Sequence, residues 1–302
     1  MAVSMLLPHH THVQSFLSYL TFEKRYSQHT IISYQTDLEL FMVFLSGQYA
    51  ETKIDSITAS FIRSWLADLK VDNISAKSIN RKISALKSFF KYLVKQGVIT
   101  KTPMVTIVSP KISKRLPAFV EEKNTDTLFK YVEFGDDWKG KTDRLILSLL
   151  YHTGMRLSEL IGLKEQQVDE GYSQLKVLGK GNKERIIPVS KDLLKEIKDY
   201  LSQKPARLPD ITYVLVNEKG KPLYPKYVYN TVKKYLGMVT TLEKKSPHVL
   251  RHTFATHLMN HGADLNAVKE LLGHASLAAT QVYTHNTIEK LKDVHKMAHP
   301  KA

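Results

Sequence analysis

Residues 246–285 read SPHVLRHTFATHLMNHGADLNAVKELLGHASLAATQVYTH, and their spacing sets what the rest of the chain must build. Ser246-Pro247 is a helix start, with Ser as N-cap and Pro at the first helical position. Leu250, Phe254 and Leu258 recur at i, i+4 and i+8, a stripe that needs a core to bury it. Gly262 ends this helix and Asp264 caps the next, whose stripe is Leu265, Val268, Leu271 and Leu272. Gly273 closes that one, so His274 stands just past a helix C-terminus. Ser276 can cap a short helix ending near Tyr283. His248 and Arg251 lie three apart, on one helix face near its positive end.

Two upstream positions join these four. Arg156 lies in TGMRLSEL (153–160) and Lys180 in LGKGNKER (178–185). Arg156, Lys180, His248, Arg251 and His274 are hydrogen-bond donors; Tyr283 is a nucleophile. A tyrosine hydroxyl titrates near ~10, so it needs activation before it attacks phosphorus. Arginine matches the charge that builds on phosphate oxygens with a planar fork. A lysine on an exposed hairpin tip can protonate a leaving oxygen. This inventory suits attack on a phosphodiester without a metal.

The pattern Arg…Lys…His-x-x-Arg…His…Tyr, in its contexts TGMRLSEL, GKGNKER, HVLRHTFATH, LLGH and VYTH, resembles the tyrosine recombinase (phage integrase) family. Within that family the XerC/XerD-type recombinases of bacteria are the nearest in pattern. The resemblance covers nearly the whole chain, more weakly in the first hundred residues, with no departure at the six positions. It implies a fold that is mainly α with a small β-sheet. An N-terminal helical SAM-like core-binding domain (1–104) and a linker (105–117) would precede a mixed α/β catalytic domain (118–302) with an exchanged C-terminal tail. It further implies that Tyr283 forms a 3′-phosphotyrosyl link, that Arg156, Arg251 and His274 bind phosphate oxygens, that His248 assists proton transfer, and that Lys180 protonates the leaving oxygen. No cofactor, ATP or metal is implied. The partners implied are double-stranded DNA, a homo- or hetero-tetramer with a second recombinase, and a DNA translocase, in chromosome-dimer resolution at cell division. The competing readings are a mobile-element integrase and, from a different class, a non-catalytic architectural DNA-binding protein, for which Tyr283 would have no use.

Composition agrees with a polyanionic partner. The 302 residues carry 44 Lys plus Arg against 29 Asp plus Glu, a net charge of +15, which favours nucleic acid. The excess is spread along the chain: 12 basic against 7 acidic residues up to position 110, and 32 against 22 beyond it. The absence of cysteine excludes disulfides, cysteine-ligated zinc and thiol catalysis. Neither a signal peptide nor a long apolar run is evident, so a cytoplasmic protein without a membrane partner is expected.

Along the chain, apolar periodicity predicts helices over 12–24, from a cap at Ser27 to Gly47, over 58–70 and over 75–96. In the last, Ile79, Ile83, Leu86, Phe89, Phe90, Leu93 and Val94 share one face; Lys77, Arg81, Lys87, Lys91 and Lys95 share the other with Asn80, Ser84 and Ser88. Such a basic stripe suits phosphate contacts, with Asn able to reach base edges. Residues 101–117, with three Pro and no helical period, read as a connector, where Lys111, Lys114 and Arg115 cluster for the DNA backbone. Helices are expected over 122–134, 142–152, 190–203 and 227–238, and a hairpin of 175–178 with 185–189 carries Lys180 at its tip. Glu159 is expected to orient Arg156. The pairs His248/His252 and His257/His261 have i, i+4 spacing, but no HExxH glutamate or third ligand accompanies them, so no metal is expected, and His252 reads as a hydrogen-bonded, partly buried structural residue.

Overall fold

The computed structural model describes residues 10–49, 52–112, 118–179, 184–205, 212–273 and 298. The chain divides into two compact units at residues 115 and 116. No described helix is long and apolar enough to cross a membrane.

The first unit is helical: α1 (His10–Ser18) continuing into a π-helical turn (Tyr19–Glu23), α2 (Gln28–Tyr49), α3 (Ala59–Val71) and α4 (Ala76–Lys95). Ser75 caps α4 by accepting the Ser78 amide. Ile79, Ile83, Leu86, Phe89, Phe90 and Leu93 of α4 are buried against Phe16, Leu38, Phe41 and Trp65. Helix α2 runs past Gly47, which does not end it. Met104 and Ile107 are also buried in this core, so the start of the expected connector belongs to the first unit.

One residue of α4 departs from the expected stripe. Lys82 is buried and bonds Asp37 at 2.9 Å, and Arg81 pairs with the same carboxylate at 2.8 Å. Asp37 is itself 1% exposed. Lysine in a core needs its counter-charge more than it needs burial. Asp37→Ala should therefore cost about 3–5 kcal/mol in chemical denaturation, because it strands a buried ammonium. A loss below about 1 kcal/mol would mean that Lys82 reaches water in the folded state.

The second unit is mixed. Helices α5 (Glu122–Tyr131), α6 (Trp138–Thr153) and α7 (Leu157–Gly162) lead into strands β1 (Val168–Asp169), β2 (Gln174–Leu178) and β3 (Glu184–Pro188). The sheet is antiparallel in the order β1-β2-β3, with Leu175 opposite Ile187 and Val177 opposite Arg185. Then follow α8 (Lys191–Ser202), α9 (Pro225–Val239), α10 (Pro247–Asn260) and α11 (Leu265–Leu272). Tyr213 and Val216 take part only in isolated bridges, Lys164–Tyr213 and Val216–Pro222.

Helix α6 is the central post. Asp137 caps it by accepting the Gly140 amide, which starts it earlier than periodicity alone suggested. It packs on α7, α8, α9 and α10, and Leu145, Ile146, Leu149 and Leu150 are fully buried. The helix ends at Thr153 in a break. Gly154 supplies that break in the left-handed conformation, φ 58°. A Cβ there would lie 2.4 Å from a Phe254 ring carbon, so only glycine permits both the turn and the close approach of α10.

Candidate active site: an arginine cluster at a helix C-terminus

Every α-helix ends with carbonyls that have no partner within the helix. At the end of α11 three successive ones are taken by arginines from three different elements. Arg185 of β3 donates Nε to Leu271 O at 3.0 Å. Arg251 of α10 donates Nη2 to Leu272 O at 2.5 Å. Arg156, at the N-cap of α7, donates Nη2 to Gly273 O at 2.9 Å. The negative end of the helix dipole favours cations here. Arg251 also donates Nη1 to Gly154 O at 2.7 Å, tying α10 to the turn that follows α6.

Among the described residues, one carboxylate serves the cluster. Glu159 Oε1 accepts from Arg185 Nη1 at 2.5 Å and from Arg156 Nη1 at 2.8 Å. Its Oε2 accepts the Arg156 backbone N–H at 2.6 Å, which fixes the first turn of α7. Burial alone would raise the Glu159 pKa; the hydrogen bond and charge of Arg185, with bonds from Arg156, outweigh it and hold the carboxyl below its usual range. Burial, then the Arg156 and Arg185 charges, push Arg251 down to about 10, with Glu159 pulling the other way. Arg251 thus stays cationic at neutral pH. Three guanidiniums against one carboxylate leave a positive surplus, and an anion of phosphate geometry would relieve it.

Exposure separates the roles. Arg185 and Arg251 are 5% and 6% exposed, whereas the Arg156 side chain is 27% exposed. His248, on the first turn of α10, is exposed. Of the six expected catalytic residues, Arg156 and Arg251 lie together in this cluster and His248 one helical turn before Arg251. Lys180, His274 and Tyr283 lie outside the described residues, as do Lys114 and Arg115. Lys77, Arg81, Lys87, Lys91 and Lys95 are exposed along α4 of the first unit, and Lys111 is exposed there too. Arg81 is engaged with Asp37, and Lys95 lies 3.7 Å from Glu23. Asn80 donates to Pro110 O at 2.9 Å, so its amide is committed within the unit.

Sequence reading did not assign Arg185. Its signal is the strand alternation: Leu175, Val177 and Ile187 face inward, and Arg185 stands opposite Val177. An arginine in the inward register of a short hairpin needs a buried partner.

The histidines of α10 correct another expectation. His252 is exposed, while His257 is the buried one. His257 Nε2 bonds Val120 O at 2.9 Å and Nδ1 meets Tyr151 OH at 3.2 Å, with Tyr151 pushed up to about 12, chiefly by burial. The reason is helical phase: residue 257 follows Leu250 and Phe254 inward, and 252 does not. Thr253 Oγ1 accepts the Val120 amide at 2.9 Å, so α10 holds Val120 by both backbone groups. Burial lowers the His257 pKa, opposed by the Val120 carbonyl and by Glu122 and Asp126, while His261 adds to the lowering. The unfolded chain therefore binds the proton more readily. This contribution is complete above about pH 6.5 and is lost as pH falls below it. Thermal melts between about pH 7.5 and 5 should show His257→Gln removing part of the wild-type decline; equal slopes would mean that His257 charges without cost.

The phage integrase family matches residues 118–290, and the phage integrase N-terminal SAM-like domain matches residues 13–97. Tyrosine recombinase XerC of Staphylococcus saprophyticus is 43% identical over 293 residues, covering 96% of this chain and 97% of that protein. XerC of Chlorobaculum parvum is 36% identical over 317 residues, covering 96% and 94%. The solved XerH site-specific recombinase bound to palindromic difH substrate is similar in fold, with a TM-score of 0.69 at 24% identity, covering 88% of this chain and 79% of that one. The Tn1549 transposon integrase with circular intermediate DNA gives 0.68 at 20% identity, covering 92% and 98%.

Proposed function

The chain belongs to the tyrosine recombinase (phage integrase) family, and on that premise we propose how its residues divide the reaction. It is a tyrosine-type site-specific recombinase that binds and recombines DNA. In our reading the Tyr283 hydroxyl oxygen forms a bond to the scissile phosphorus as the bond to the 5′ oxygen breaks. The phenolic proton passes to His248, and Lys180 supplies the proton that the departing 5′ oxygen takes up. Arg156, Arg251 and His274 bind the non-bridging oxygens. The 5′ hydroxyl of a partner strand then attacks the phosphotyrosyl ester and frees Tyr283. One phosphoester replaces another at each step, so the chemistry consumes neither ATP nor a cofactor.

The observation that carries this reading is the positive surplus around Glu159, built on the helix end whose next residue is His274. Residues 1–104 would serve as the core-binding domain, with Lys77, Arg81, Lys87, Lys91 and Lys95 on phosphates. Residues 105–117 would form the linker, with Lys111, Lys114 and Arg115 on the backbone, and residues 118–302 the catalytic domain with an exchanged tail. The relatives' name, XerC, supports a role in resolving chromosome dimers at cell division; in our reading the protein works in the cytoplasm as a tetramer with a second recombinase, alongside a DNA translocase.

Adduct capture tests this. The protein is incubated with nicked genomic fragments in EDTA, denatured in SDS, and the attached DNA is sequenced. Adducts at one chromosomal site near the replication terminus support dimer resolution. Adducts at element ends would make the protein an integrase. Retained DNA binding without adducts, with the candidate partner recombinase supplied, would favour the architectural reading.

A further inference from the structure

Arg185 and Arg156 donate to the same oxygen, Oε1 of Glu159. Glu159 Oε2 is occupied by the Arg156 amide. Arg185 has no second carboxylate among the described residues, and its buried Nη2 has no hydrogen-bond partner among them. Among the described residues, Glu159 is the carboxylate that meets its charge. Two guanidiniums compete for one carboxylate, and the buried one has the shorter bond.

Removing Arg185 would change that competition. Arg156 and Glu159, three residues apart, would become a closed one-to-one pair, and Arg156 would lose the net charge that it presents toward solvent. The site's formal charge, three arginines against Glu159, would drop from two to one.

We propose that Arg185 is a positioning residue of the strand-transfer reaction, which draws the Glu159 charge away from Arg156 and so leaves the Arg156 guanidinium available to the scissile phosphate. The inference rests on the assignment of Arg156 to the phosphate. Arg185 is not placed on the phosphate itself. Through Leu271 O and β3 it also links the end of α11 to the base of the hairpin that carries Lys180.

The test is a charge-balance cycle, read as the single-turnover rate of adduct formation on the nicked duplex recovered by adduct capture. Arg185→Met should slow the step about 10²-fold, the scale of a misplaced reacting group. DNA affinity should stay within about threefold, because many other phosphate contacts carry binding. Arg185→Met/Glu159→Gln restores the site's net charge and should recover at least about tenfold over Arg185→Met, despite a second altered core group. Arg185→Lys keeps the charge but gives up the fork, and should stay within about tenfold of wild type.

A double variant as slow as, or slower than, Arg185→Met overturns the proposal. So does a loss of about 10²-fold in an Arg185→Lys protein that melts like wild type, and this arm holds even if Arg185→Met does not fold. The assignment beneath it fails separately, if wild type gives no adduct or Tyr283→Phe still gives one. Inorganic phosphate then tests the charge sharing alone. It should raise the melting temperature of wild type and of the double variant but not of Arg185→Met; no phosphate effect on wild type would overturn the proposal.

Discussion

Tyr283→Phe should abolish the SDS-resistant link to DNA while leaving affinity for duplex DNA within about twofold. The substitution removes one oxygen and nothing else. No other side chain of the expected set is assigned the attack: Arg156, Arg251 and His274 are assigned to the phosphate oxygens, and His248 and Lys180 to proton transfer. The loss should reach at least about 10⁴-fold, the scale seen when the nucleophile of a concerted set is deleted. Gel analysis of wild type and variant on the same nicked duplex measures it directly. A persisting adduct would move the nucleophile to another residue; lost DNA binding would give Tyr283 a structural role instead.

Arg251→Met should have the second largest effect. Arg251 combines two tasks that the structure shows on one side chain. Its Nη1 and Nη2 hold Gly154 O and Leu272 O, and its charge lies among those of Arg156 and Arg185. Deleting one preorganised donor costs roughly 10²–10³ in rate. Leaving two buried carbonyls without their donor should also cost about 1–3 kcal/mol in stability for each carbonyl. Arg251→Lys, which reaches one carbonyl at a time, should recover part of the stability and less of the rate, since it loses the fork. Single-turnover adduct rates and thermal melts on the three proteins separate the two losses. A Met variant with wild-type rate would remove Arg251 from the site.

What the sequence showed of the fold follows from which signals are local. Leu250, Phe254 and Leu258, or Ile79 through Leu93, announce a buried helix face by spacing alone, and Gly154 and Gly273 mark breaks that only a left-handed residue allows. The two-residue strand β1 has no period to detect. The early start of α6 depends on an Asp137 side-chain bond. Met104 and Ile107 gave no helical or strand pattern, because an irregular segment buries side chains one at a time.

At the site, Arg156, Arg251 and His248 were legible through their motif contexts, and Glu159 through its i+3 distance from Arg156. Arg185 and Lys82 were not. Arg185 stands in the inward register of β3, and Lys82 lies between Ile79 and Ile83 of α4 in the first unit; what the sequence does not show is the carboxylate that meets each. Asp37 and Lys82 are 45 residues apart, and Glu159 and Arg185 are 26 apart, so neither pairing has a local signature.

The capping of the α11 end has a consequence for how the protein comes off the ribosome. The bond from Arg156 to Gly273 spans 117 residues, and contacts of such separation form after local ones. At about 5–20 residues per second, roughly ten seconds of translation separate the two partners. During that interval the first unit, whose helices are all complete by residue 95, can fold. The arginine cluster cannot exist until α11 has emerged. A nascent or prematurely terminated chain that stops before α11 therefore has the first unit but not the arginine cluster, which is assembled only when synthesis is nearly finished.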